Sequence, residues 1–129
     1  MAQAANHNAH SVLYVDDDDQ VRSFVGVILK HAGYIPFEAR TCAEARRALK
    51  EEKPRFVVLD IYLPDGNGLE LAEGWRKDGH ATLPILFISG GEATSLQAKA
   101  EQLNAAFLHK PFKAQQLLDQ LSLLVKSPE

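Results

Sequence analysis

Four short apolar runs, each closing on residues able to carry chemistry, constrain this 129-residue chain more than any other feature. Val12-Leu-Tyr-Val15 ends on Asp16 and Asp17, and Phe56-Val-Val-Leu59 ends on Asp60. Ile85-Leu-Phe-Ile88 ends on Ser89, and Ala105-Ala-Phe-Leu108 is followed by His109, Lys110 and Pro111. Runs this short, rich in valine and isoleucine, suit strands buried on both faces better than helices. Pro64, Gly66 and Gly68 break regular structure just after Asp60. That acid is therefore expected at the carboxyl end of its strand, in a loop mouth, where open α/β sheets keep their ligand sites.

Helical patterns separate the runs. Val21, Phe24, Val25, Ile28, Leu29 and Ala32 form one buried stripe, with Asp18 or Asp19 as its cap and Gly33 as its stop. Tyr34 to Phe37 reads as a second strand, and Pro36, unable to donate to a ladder, places it on a sheet edge. Thr41-Cys-Ala-Glu44 looks like a capping box opening a helix with Ala45, Ala48 and Leu49 inward. Asn67 or Asp65 caps a helix that turns Leu69, Ala72 and Trp75 to the core, interrupted at Gly74 and closed near Gly79. From Glu92 to Leu103 only Leu96, Ala100 and Leu103 form a stripe, which makes this helix the easiest to shift. The last helix, about 113 to 125, is expected to bury Leu117, Leu118, Leu121, Leu124 and Val125. Strands alternating with helices imply an α/β fold whose parallel sheet is covered on both faces.

Length and composition, 46% hydrophobic and 24% charged, fit one cored domain over residues 11–125. Residues 1–10 are expected to be a mobile lead-in on which His7 and His10 are solvated, and residues 126–129 a frayed end. A net charge of -3 argues against a nucleic-acid surface of the domain's own. No stretch approaches the roughly 20 apolar residues that span a bilayer, and no signal-peptide core is visible, so the cytoplasm is the expected location. The single cysteine, Cys42, fits a reducing compartment.

Strand ends bearing paired acids, one acid, one hydroxyl and one lysine resemble the receiver domain of two-component response regulators. The motifs are Val15-Asp16-Asp17, Asp60-Ile-Tyr-Leu-Pro-Asp-Gly-Asn-Gly68, Ser89 and Lys110-Pro111-Phe112, and the resemblance covers residues 11 to 125. It implies a flavodoxin-like (βα)5 three-layer sandwich with strand order 2-1-3-4-5. It also implies that Asp60 takes a phosphoryl group from a histidine kinase or histidine phosphotransfer protein. Three carboxylates in one cleft repel unless a cation joins them, and Mg²⁺, with Mn²⁺ as the alternative, suits oxygen ligands beside a phosphate. By resemblance Asp17, Asp60 and the backbone carbonyl of Tyr62 ligate the ion, and Asp16 acts through water. Lys110 offsets phosphoryl charge, with Pro111 suiting a cis peptide that aims it inward. Ser89 donates to a phosphoryl oxygen, and Phe107 takes the place of the switch aromatic. A downstream partner is expected on the face made by the Glu92–Leu103 helix, the fifth strand and the last helix.

Two other readings compete. A pseudo-receiver would be an interaction module that takes no phosphate, and would normally lack an acid, the hydroxyl or the lysine; all are present here. A phosphohydrolase using an aspartyl phosphate typically carries a second acid two residues after the nucleophile to protonate the leaving group, and here that position is Tyr62. Phosphoryl acceptance without turnover of an external substrate is the expectation.

Overall fold

The computed structural model describes residues 11–91 and 93–126. Its strands are β1 (Ser11–Val15), β2 (Ile35–Ala39), β3 (Phe56–Asp60), β4 (Ile85–Ser89) and β5 (Ala106–His109). The helices are α1 (Asp19–His31), α2 (Cys42–Glu52), α3 (Gly68–Lys77), α4 (Ala93–Gln102) and α5 (Ala114–Lys126). The five strands pair in parallel in the order β2-β1-β3-β4-β5. This is the flavodoxin-like arrangement, with β2 and its Pro36 on an edge. Among the described residues no helix is long and apolar enough to cross a membrane.

Successive strand residues face opposite sides, so each strand feeds two cores. Leu13, Val15, Val57, Leu59, Ile85 and Phe87 meet Ala45 and Leu49 of α2, Leu71, Ala72 and Trp75 of α3, and Leu96 and Ala100 of α4. Val12, Tyr14, Phe56, Val58, Leu86, Ile88 and Leu108 meet α1 and α5 on the other side, through Val25, Ile28, Leu29, Leu117 and Leu121. Asp60 and Ser89 end two strands of this double-faced core and are themselves buried.

Caps fix where the helices begin. Asp18 accepts from the N–H groups of Gln20 and Val21, Thr41 from Glu44, and Asn67 from Leu69 and Glu70. Asp65, the alternative to Asn67 as cap of α3, instead caps α2 from across the loop. Its carboxylate accepts from the N–H of Cys42 at 2.7 Å and of Ala43 at 3.1 Å. These two donors hold its pKa below the ordinary carboxylate range. At the far end of the molecule Arg76 of α3 donates to four carbonyls: Leu103 and Asn104 just after α4, and His80 and Leu83 before β4. The C-terminal end of α4 is thereby tied to α3.

Several boundaries differ from expectation. β2 runs from Ile35 to Ala39, not Tyr34 to Phe37, because its five-residue register with β1 continues through Glu38 and Ala39. Leu71, outside the expected stripe of α3, is buried. Leu118 and Leu124 are half-buried, at the margin of the α1 and α5 core, and not fully inside. Lys126 is the last residue of α5 and not part of a frayed end. The expected lead-in, residues 1–10, and the last residues, 127–129, lie outside the described range, as do the side chain of Val125 and all of Glu92.

Helix α3 runs through Gly74 without interruption. A Cβ built there meets nothing within 4 Å. Gly74→Ala is therefore expected to stabilise the domain by about 0.5–1 kcal/mol, since glycine costs helix propensity and nothing opposes the added methyl. Urea unfolding of the two proteins measures it, and an unchanged midpoint contradicts it.

Candidate functional site

The site forms where β1, β3, β4 and β5 end together, and each element brings its residue by a different local device. Asp16 leaves β1 fully buried, its N–H donating to the Ala39 carbonyl at 3.1 Å. Its Oδ1 accepts from the N–H of Asp18 at 2.9 Å, and Asp18 in turn caps α1, so the acidic turn and the helix start are one hydrogen-bonded unit. Arg22, one turn into α1, closes that unit. Its Nη1 donates to the Asp16 carbonyl at 2.9 Å, and the same guanidinium pairs with Asp19 and, at 3.5 Å, with Glu38 of β2. The peptide joining Asp16 to Asp17 is held by this contact.

Asp60 ends β3 and is 5% exposed. Beyond it Tyr62–Leu63 pairs antiparallel with Gly66–Asn67, so the Pro64 and Gly66 segment is a hairpin turn and not unstructured chain. Gly68 is required for a different reason. A Cβ there would lie 2.3 Å from the Asp60 carbonyl oxygen, and its N–H donates to the Ile61 carbonyl at 2.7 Å. The first residue of α3 thus rests on the backbone of Asp60, an approach only glycine permits.

Lys110 follows β5, and the Lys110–Pro111 peptide is cis. The Lys110 N–H donates to the Ser89 carbonyl at 2.8 Å. Its ammonium lies 2.9 Å from Asp16 Oδ2, as an ion pair lacking the angle of an aligned hydrogen bond, and donates to Asp60 Oδ2 at 3.2 Å. Carboxylate oxygens of Asp16, Asp17 and Asp60 all lie within 4.8 Å of one another, with Asp17 exposed. The sequence-expected acids and the lysine are therefore brought together.

Three carboxylates facing one ammonium leave the cleft electrostatically negative. Burial, then the neighbouring Asp16 carboxylate, push the pKa of Asp60 up to about 6, against the pull of Lys110 and the Tyr62 N–H. For Lys110, burial lowers the pKa, but Asp16 and Asp60 more than reverse this and hold it above the ordinary lysine value. A hard divalent cation fits this set of three acids: the donors are all oxygen, one is open to solvent, and Asp16 Oδ2 has no aligned hydrogen bond.

Ser89 stands one strand away from Asp60, on β4, and Phe107 two strands away, on β5. Ser89 is fully buried, and its Oγ accepts from the N–H of Gly91 at 3.1 Å; among the described residues no hydrogen bond joins it to Asp60. Phe107 is half-buried against the core below α4. The Tyr62 ring is exposed and lies against Gly91, where a Cβ would meet it at 3.2 Å. Sequence reasoning assigned no part to Arg22 or His109. Arg22 was masked by its place among exposed helix residues; His109, whose Nε2 lies 3.1 Å from the Gly91 carbonyl, is legible only once β4 and β5 are side by side.

The sequence profile of the response regulator receiver domain matches residues 12–122. The chain belongs to that family. The receiver domain is 31% identical over 121 residues to the transcriptional regulatory protein GltR of Pseudomonas aeruginosa, covering 92% of this chain and 50% of GltR. It thus spans about half the length of that relative. The non-phosphorylated HemR receiver domain of Leptospira biflexa superposes with a TM-score of 0.85 at 30% identity, over 92% of this chain and 96% of that one. The receiver domain of NtrX from Brucella abortus does so with a TM-score of 0.84 at 32% identity, over 91% and 99%.

The raised pKa of Asp60 fixes the sign of a pH effect in buffer stripped of divalent cations. A carboxyl whose folded pKa lies above its unfolded value contributes stability that is complete below the unfolded value, about 4, and disappears as pH rises through about 6. The stability advantage of Asp60→Asn over the parent is thus expected to grow between pH 4 and 7 without metal, by chemical denaturation. A flat difference across that range contradicts the assignment.

Proposed function

We propose that this receiver domain is a phosphoacceptor switch of a two-component or phosphorelay system, with Asp60 as the acceptor. The observation that carries the reading is the Asp60 carboxylate, buried at the end of a central strand, 3.2 Å from the Lys110 ammonium and clustered with two further acids. An Asp60 oxygen attacks the phosphorus of a phosphohistidine. The new O–P bond forms as the P–N bond breaks, and its electron pair returns to the donor's imidazole. Lys110, already in contact with the attacking carboxylate, neutralises charge on the transferred oxygens, and Ser89 donates its hydroxyl to one of them. Asp17, Asp60 and the Tyr62 carbonyl would hold Mg²⁺, and Asp16 would act on it through water. When bound, the ion supplies charge neutralisation for the phosphoryl oxygens.

The donor's approach has a physical basis beside the acids. A groove of about 350 Å³ is lined by Val21, Phe24, Lys110, Pro111 and Phe112, and the Phe24 ring, 45% exposed, lies 6.1 Å from that of Phe112. One wall is Lys110 itself, so a kinase or phosphotransfer protein seated on these apolar residues brings its histidine to the cleft. The downstream partner is assigned to the face made by α4, β5 and α5. Tyr62, the residue two past Asp60, has no carboxyl to protonate a leaving group, which supports phosphoryl acceptance over hydrolysis of an external phosphate ester.

Incubation with acetyl phosphate and Mg²⁺, read by intact mass, is expected to give a single phosphoryl adduct that Asp60→Asn abolishes without loss of fold. No adduct on the parent favours a pseudo-receiver, and sustained phosphate release favours a phosphohydrolase. The same proteins test the metal: Mg²⁺ raises the melting temperature of the parent, and Asp17→Asn removes that rise.

A further inference from the structure

Both backbone polar groups of Gly91 are held. Its N–H donates to Ser89 Oγ at 3.1 Å, and its carbonyl lies 3.1 Å from Nε2 of His109. A carbonyl only accepts, so Nε2 carries the hydrogen in this contact. Two side chains close the seat: a Cβ at Gly91 would meet the Tyr62 ring at 3.2 Å and Leu96 Cδ1 at 3.3 Å. The turn that leads from β4 into α4 is therefore located by a strand hydroxyl, a strand histidine, an aromatic face and the first buried leucine of the helix.

These holds differ in whether they can follow a movement. Ser89 and His109 are register partners at the ends of β4 and β5, and the Ser89 carbonyl is bonded to the Lys110 N–H, so both backbones are fixed in the sheet. The Ser89 hydroxyl can rotate, and among the described residues nothing accepts its hydrogen. If it turns to donate to a phosphoryl oxygen on Asp60, the Gly91 N–H bonded to it is drawn toward the acids, away from the imidazole on β5. The contact between His109 and Gly91 then belongs to one arrangement only. A contact made in one of two states biases the equilibrium toward that state. The opposite end of α4 cannot compensate, because Arg76 holds the Leu103 and Asn104 carbonyls.

We propose that His109 is a positioning residue that latches the Ser89–Gly91 turn, through the Gly91 carbonyl, in its resting arrangement, and so sets how readily phosphorylation switches α4. The proposal rests on the reading of Asp60 as phosphoacceptor. On activation the latch opens, and α4 moves from its N-terminal end about a pivot at Leu103 and Asn104. His109 touches neither the acids nor the phosphoryl group. It acts on the energy gap between the two states and not on the chemistry of transfer.

The test uses beryllofluoride with Mg²⁺ as the phosphoryl mimic on the whole domain. One hydrogen bond lost from the resting state alone raises apparent affinity roughly 2- to 10-fold, because the binding-competent state becomes more populated. His109→Ala is expected to show that gain, and before any ligand its amide resonances from Gly91 into the first turn of α4 are displaced toward their bound positions. His109→Gln, which keeps a donor of similar reach, is expected to stay near the parent. A second readout needs no variant: the His109 ring resonances of the parent move when beryllofluoride binds. Equal or weaker affinity in His109→Ala, or ring resonances that stay put, overturns the latch while the phosphoacceptor reading stands. A parent that takes up no beryllofluoride overturns both.

Discussion

One ammonium shared by two buried carboxylates holds the working end of this domain together. Asp16 and Asp60 lie at the ends of β1 and β3, where the double-faced sheet excludes water, and burying charge there is costly unless it is paired. Lys110 arrives from beyond β5 and reaches past the end of β4 to both. Three strand ends are thereby tied by a contact whose charges do not balance, since Asp17 adds a third carboxylate to the cluster that faces Lys110. On the proposed reading of Asp60 as phosphoacceptor, this surplus of negative charge is what a bound Mg²⁺ would neutralise.

Much of this was legible in the sequence because strand ends are easy to read. An apolar run that stops on an acid, a hydroxyl or a lysine reports both the strand and the direction its last residue faces, and Asp16, Asp60, Ser89 and Lys110 all sit where that logic puts them. What escaped it was contact at long range. Asp65 was weighed as a cap for the helix that follows it, because capping rules are local, yet its carboxylate serves a helix 22 and 23 residues earlier in the chain. Arg22 looked like an ordinary exposed helix residue, and only the meeting of β1, β2 and α1 shows that it clamps the acidic turn. Gly74 was read as a break, although a glycine amid good helix formers lowers stability without ending the helix.

The elements around the site are not equally restrained. On the α1 side the acidic turn is fastened by Arg22 and by the cap of Asp18, and on the α2 side the loop after Asp60 is fastened by Asp65. On the α4 side, the described residues hold the backbone of Gly91 at one end and Arg76 holds the other. Amphipathicity points the same way: the buried stripe of α4 consists of Leu96 and Ala100, whereas α3 commits Leu71, Ala72 and Trp75. On the proposed reading, a disturbance at Asp60 would find least resistance in the direction of α4, as a property of these restraints and with no special pathway.

Gly68 gives this bias a mechanical origin. With the start of α3 seated against the Asp60 carbonyl, at a distance that leaves no room for a methyl group, the backbone behind the acceptor has a hard stop. On the proposed reading, a phosphoryl group on the carboxylate would find little room for the main chain to settle backward, which leaves rotation of the Ser89 side chain as the route toward α4.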